Sequence, residues 1–302
     1  MEQKKLEQTI FQSLVNDFLY ERKSRNRSKN TIRFYSDELR YFSNWLESNN
    51  IKIKDVIDIS PSLLRRYFLS VGERRTKGGI HASFRAIKAF INFIDDELEP
   101  TWKNPIKKVK IQSNIQPQIE GISIEDIQKM INACTGRNKI RDIAILKTLL
   151  DTGCRAQELL DLNICDVDLG SGSVKVKHGK GDKFRIVYLG INARKSLKEY
   201  LATREVLLPN AALFLNDDGL RLKYYGLRMI ISRLAHKTGT KEGVHNFRRC
   251  CALSLHRKKV DILTISRYLG HGSIEITKRY LSINDEDIKN ALANFSPTNN
   301  LD

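Results

Sequence analysis

Apolar residues recur every three or four positions through most of this chain, and the breaks in that recurrence divide it into elements. Over residues 6–20, Leu6, Ile10, Leu14, Phe18 and Leu19 form an amphipathic helical pattern. The polar stretch ERKSRNRSKN interrupts it. Ser28 or Asn30 is then placed to cap a second helix through TIRFYSDELRYFSNWLESNN, with Phe34, Leu39, Phe42 and Leu46 on its buried side. Ser60 followed by Pro61 opens a third helix, because proline's fixed φ and missing N–H suit the first helical position. GGIHASFRAIKAFINFIDDEL reads as a fourth, so residues 1–98 predict a small all-helical domain with basic residues on several helices.

Residues 99–121 fit neither the helical nor the strand period and hold three of the six prolines, which predicts a linker. Its lysines, Lys103, Lys107, Lys108 and Lys110, have no acidic residue between them, as expected of a segment that follows a phosphate backbone. A merely solvated linker would share that pattern.

A second domain is expected over residues 122–302. Ser123 and Asp126 have the capping-box spacing ahead of one helix, NKIRDIAILKTLLDTGC reads as a more buried helix, and Gly153 breaks it before RAQELLDLNICDVDL. Apolar and polar residues then alternate on both sides of His-Gly-Lys-Gly-Asp in SVKVKHGKGDKFRIVYLG, the pattern of a β-hairpin. Helical patterns resume from Asn192. The predicted fold class is mainly α, with one small antiparallel sheet in the second domain and no internal repeats.

Composition narrows the partner. Fifty-two Lys and Arg stand against thirty-five Asp and Glu among 302 residues, a net charge of +17 that suits a polyanion, with nucleic acid foremost. Residues 1–100 hold 18 basic against 14 acidic residues and the remainder 34 against 21, so the excess lies mainly in the second domain. No apolar run approaches the roughly 20 residues of a membrane span, and the N-terminus lacks signal-peptide character, so the expected compartment is the cytoplasm. The five cysteines are odd in number and include no C-x-x-C, which argues against a disulfide framework and a zinc site.

Several polar residues fall at punctuated places. Arg155 follows DTGC between two helices, Lys180 lies at the hairpin tip, His245 and Arg248 are one helical turn apart, His271 sits in LGHGS, and Tyr280 follows it. Each alone has an ordinary structural explanation. Together, TGCRAQELLDL, GKGDKFRIVYLG, HNFRR and YLGHGSIEITKRY resemble the tyrosine recombinase, or phage integrase, family over about residues 122–295. The four N-terminal helices agree in kind with that family's SAM-like core-binding domain, in an Xer-like two-domain architecture.

The resemblance implies a site-specific DNA recombinase that cuts and rejoins DNA through a covalent phosphotyrosine and a Holliday junction, in mobile-element integration or excision or in chromosome dimer resolution. It makes Tyr280 the nucleophile and leaves Tyr268, on the preceding helix, as packing. Arg155 and Arg248 would hold the non-bridging phosphate oxygens, His245 would take the tyrosine proton, Lys180 would protonate the leaving deoxyribose oxygen, and His271 would donate a further hydrogen bond. Glu158, three residues after Arg155, could orient a catalytic side chain. Neither metal nor cofactor is implied. The partners would be double-stranded DNA sites and further copies of the chain, a dimer per site and a tetramer in synapsis, with an accessory protein left open.

Arg249 stands where the family often has histidine and could reach another phosphate, while Cys250 and Cys251 replace small or hydroxyl residues. A terminal helix at about 284–295, with Ile288, Leu292 and Phe295 at helical spacing, would dock on a neighbouring protomer or on its own domain. Two other functions use the same features: relaxation of DNA in the manner of a type IB topoisomerase, and non-catalytic DNA binding by a regulator.

Overall fold

Serine caps open three of the helices, as the sequence predicts. The Oγ of Ser28, Ser60 and Ser123 accepts the backbone N–H of Thr31 (3.2 Å), Leu63 (3.2 Å) and Asp126 (3.0 Å) respectively. The computed structural model describes residues 2–112 (2–9 by backbone alone), 122–177, 184–205, 207–270, 273 and 277. The chain divides into two units, Met1–Gln116 and Pro117–Asp302.

The N-terminal unit contains α1 (Glu2–Ser24), α2 (Lys29–Ser48), α3 (Pro61–Arg74) and α4 (Lys77–Leu98). Its core is aromatic: the fully buried Phe18 makes edge-on contacts with Tyr35, Phe90 and Phe93 at centroid distances of 5.2–5.6 Å. Two side-chain expectations are corrected. Ile10 is 45% exposed and Phe11 is buried in its place, because repeated four-residue steps drift by about 40° each around a helix and carry Ile10 off the inner face. On α2, Phe34 is only half-buried, whereas Glu38 is buried and takes a two-pronged contact from Arg75 at 2.8 and 2.9 Å. Leu6 lies outside the described side chains.

The expected linker is in part structural. Ile106 and Val109 are buried in the core of the N-terminal unit, each worth about 1.5–3 kcal/mol relative to exposure. A short 3-10 turn over Pro105–Lys108 is capped by Asn104, whose amide also donates to Asp95 at 2.8 Å, and the Trp102 indole donates to the same carboxylate at 3.0 Å. Two large apolar residues among the lysines were enough to fix residues 102–109 on this unit. The four lysines remain exposed.

The C-terminal unit contains α5 (Ile124–Asn132), α6 (Lys139–Thr152), α7 (Ala156–Asp161), β1 (Ser173–Lys177), β2 (Phe184–Tyr188), α8 (Ile191–Ala202), α9 (Tyr224–Thr238), α10 (Val244–Arg257) and α11 (Ile262–Leu269). Its core is built around α6, on which Ala144, Ile145, Leu146 and Leu149 are fully buried; α8 and α10 pack against it. The two strands pair antiparallel, with Val174 opposite Val187 and Val176 opposite Arg185. Val174, Val176 and Val187 face the core, while Lys175, Lys177, Phe184, Ile186 and Tyr188 face outward. A mainly helical fold with one small antiparallel sheet is therefore what forms. No helix among the described residues is long and apolar enough to cross a membrane.

Candidate functional site

The break that Gly153 makes after α6 builds one wall of the site. Gly153 has φ +56°, and a Cβ added there would stand 2.5 Å from a Leu269 methyl and 3.2 Å from the Cys251 sulfur. Gly153→Ala is expected to destabilise the protein by about 1–3 kcal/mol through crowding, read as a lower midpoint of urea unfolding at unchanged slope.

Arg155 occupies the position before α7, and Glu158 lies at the third residue of that helix. The Glu158 carboxylate accepts the Arg155 backbone N–H at 2.9 Å and its guanidinium at 2.7 Å, so the local R-x-x-E spacing both starts the helix and orients the arginine. Arg155 Nη2 reaches across the chain to the carbonyl of Gly270 at 3.3 Å. Its side chain keeps 42% of its surface exposed.

Arg248, on α10, is 1% exposed. It donates Nη1 to the Gly153 carbonyl at 2.7 Å and Nη2 to the Leu269 carbonyl at 2.5 Å. Both carbonyls belong to helix C-termini, where the last C=O groups lack intrahelical partners and a cation is favoured. The two arginines, 93 positions apart, thus converge on the turn at residues 269–270 that closes α11 and leads into His271.

His245 lies one turn before Arg248. Its ring titrates below the ordinary histidine range, first because nearby protein removes water from the imidazole and then because Arg249, Arg248 and Arg155 repel a further positive charge. The residue as a whole stays exposed to solvent. Near neutral pH the ring is therefore uncharged, with a nitrogen able to accept a proton. Replacing Arg249 with Gln removes one repelling charge and is expected to raise the His245 titration midpoint, measured by NMR with His245→Gln assigning the resonance.

Glu158 carries a second cation that the sequence reading missed. Arg185, on β2, donates to both carboxylate oxygens at 3.1 and 2.7 Å and to the Tyr268 carbonyl at 3.0 Å. The available signal was its place in the strand alternation, on the same inward face as Val187, where a charge requires a partner. Burial alone would raise the Glu158 pKa, but hydrogen bonds and charge from Arg185 and Arg155 outweigh it and bring the carboxyl to about 2. The corresponding stability, about 3 kcal/mol by linkage, is fully present above pH 4.5 and is lost as pH falls toward 2.

Tyr268 is committed to structure. Its hydroxyl donates to the Asp151 carbonyl at 2.9 Å and accepts the Tyr188 N–H at 3.2 Å, and burial pushes its pKa up. Cys154 and Cys251 are likewise buried, with thiols pushed up to about 11 and about 12, so both are protonated hydrophobes. Cys250 is buried too. Arg249 is half-buried and donates to Asn246 at 3.4 Å.

The structure thus brings Arg155, Glu158, His245 and Arg248 together. Lys103, Lys107, Lys108 and Lys110 belong to the N-terminal unit, with Lys107 3.9 Å from Asp95. Lys180, His271, Tyr280 and the helix expected at 284–295 lie outside the described residues. No group of three or more His, Cys, Asp or Glu that could hold a metal occurs among the described residues.

Comparisons with known proteins show the family and the fold. The phage integrase family profile matches residues 121–287. The tyrosine recombinase XerC of Leptospira interrogans is 28% identical over 282 residues, covering 90% of this chain and 89% of the relative. Two solved structures share the fold. One is the XerH site-specific recombinase in a post-cleavage complex with palindromic difH substrate, with a TM-score of 0.75, 24% identity and coverage of 90% of this chain and 82% of that one. The other is the Tn1549 transposon integrase with a circular-intermediate DNA, with a TM-score of 0.76, 16% identity and coverage of 93% and 99%.

Proposed function

The chain belongs to the phage integrase family, and from that membership and the geometry of its site we propose that it is a site-specific DNA recombinase acting through a covalent phosphotyrosine. The observation that carries this reading is the convergence of Arg155 and Arg248 on the turn before His271, beside an uncharged His245.

The chemistry follows from what a phosphodiester exchange requires. The Tyr280 oxygen attacks phosphorus, an O–P bond forms to the tyrosine, and the bond to one deoxyribose oxygen breaks. A free tyrosine hydroxyl has a pKa near 10, so its proton needs an acceptor, and His245 is the assigned base. Lys180 protonates the leaving oxygen. Negative charge gathers on the non-bridging oxygens as phosphorus becomes five-coordinate, and the permanently charged guanidiniums of Arg155 and Arg248, with His271, stabilise it. The ester is exchanged rather than hydrolysed, so the reverse attack by a second DNA end reseals the strand without an energy source.

On this reading the substrates are two double-stranded DNA sites, two protomers occupy each, and four copies hold the synapse. Integration or excision of a mobile element and resolution of chromosome dimers are both reactions of this type. The expected compartment is the cytoplasm. The exposed lysines at 103–110 are assigned to the DNA backbone.

The test is a nicked suicide substrate carrying a candidate site, followed by a two-site plasmid. A denaturant-resistant protein–DNA adduct together with deletion or inversion between two sites is expected. Relaxation without exchange would point to topoisomerase activity, and binding without adduct to a regulator. Adduct formation is expected to persist in excess chelator, since fixed guanidiniums carry the phosphate charge; loss restored only by a divalent cation would contradict that assignment.

A further inference from the structure

Glu158 holds two guanidiniums from different parts of the chain. Arg155 reaches one oxygen of that carboxylate and Arg185 grasps both, and the side chains of Arg185 and Glu158 are each only 9% exposed. Because the Glu158 carboxyl lies near 2, a proton does not neutralise it at neutral pH. A second cation can do so without protonating the group that orients Arg155.

The same side chain ties three elements together. Arg185 Nε donates to the carbonyl of Tyr268, next to the turn that receives Arg155 and Arg248, and the Tyr268 hydroxyl in turn accepts the Tyr188 N–H. Strand β2 is thereby joined to the C-terminus of α11 at two points. Arg185 is the fifth residue after Lys180 in the sequence.

Resting on the recombinase reading, we propose that Arg185 is a positioning residue for strand cleavage. It offsets the Glu158 charge, so that this carboxylate orients Arg155 without cancelling its attraction for the scissile phosphate, and it anchors strand β2 to the C-terminus of α11. Lysine would keep the charge but lose the forked contact with both oxygens.

The experiment measures single-turnover adduct formation on a suicide substrate, with DNA affinity measured on the same duplex and folding checked by thermal melting. Arg185→Gln is expected to slow adduct formation by about 10- to 100-fold while DNA affinity changes far less. Arg185→Lys is expected to fall between it and the wild type. Adding Glu158→Gln to Arg185→Gln is expected to recover about tenfold, because the negative charge beside Arg155 is gone. A merely structural arginine would give cleavage that follows the melting temperature in both variants, because neutralising Glu158 also relieves an unpaired buried charge; the proposal expects slowed and recovered cleavage at temperatures where every variant is fully folded. The proposal is overturned if Arg185→Gln cleaves within about twofold of wild type, or if the double variant is no faster than the single one. Should Arg185→Gln fail to fold, Arg185→Lys and the double variant, compared with wild type, decide the matter by the same criteria. A wild-type protein that forms no adduct would instead count against the recombinase reading itself.

Discussion

Replacing Tyr280 with phenylalanine is expected to abolish the covalent adduct, by about three orders of magnitude or more, while leaving DNA binding intact. The variant removes one oxygen, so a retained duplex affinity with no adduct isolates the nucleophile. Tyr268→Phe is the informative partner, because this residue is the nearest rival in sequence. Its hydroxyl is already held between the Asp151 carbonyl and the Tyr188 N–H, and burial raises its pKa, which disfavours the phenolate that attack requires. Tyr268→Phe should therefore still form adduct. It should also lose about 1–2 kcal/mol of stability, since a carbonyl and an N–H lose their partner. An adduct that survives in Tyr280→Phe and disappears in Tyr268→Phe would reverse the assignment.

The second large effect is expected at Arg248. Its fork joins the Gly153 carbonyl to the Leu269 carbonyl at 1% exposure, so the residue closes two helix ends as well as carrying charge. Arg248→Lys retains the charge but presents one nitrogen, which cannot match both carbonyls in the planar geometry of the guanidinium. Stability should fall by about 2–3 kcal/mol, and adduct formation by about 100-fold at temperatures where the variant remains folded. Arg155→Lys separates the two contributions, because that side chain is 42% exposed whereas Arg248 is buried. It should lose cleavage with a much smaller change in melting temperature. If Arg248→Lys cleaved at the wild-type rate, the phosphate clamp would rest on Arg155 alone.

Much of the local structure was legible because its causes are local. A serine three residues ahead of the N–H it accepts marks a helix start whatever lies around it, and Ser28, Ser60 and Ser123 behave so. Proline at 61, the left-handed glycine at 153 and the alternation through the hairpin strands are also short-range signals. Where the reading missed, a distant partner had changed what a position could tolerate. Glu38 is buried because Arg75, 37 positions away, covers its charge. Residues 102–109 resembled a linker because their periodicity is poor, yet Ile106 and Val109 found a core to enter. Ile10 was misplaced by a different cause, the slow winding of a four-residue repeat around the helix.

The candidate site divides along the same line. The motifs that hold Arg155, Lys180, His245, Arg248, His271 and Tyr280 carried the resemblance to the family, because a multi-residue constellation survives in the linear sequence even when its members are far apart in it. Only the tertiary structure decided that Tyr268 is bonded to the backbone, that Arg248 is buried against two helix ends, and that Arg185 shares Glu158 with Arg155. Those outcomes depend on carbonyls and carboxylates from segments 27 to 117 positions apart meeting within hydrogen-bonding distance. Periodicity reports which face of an element turns inward; the partner waiting there is set by how the elements pack.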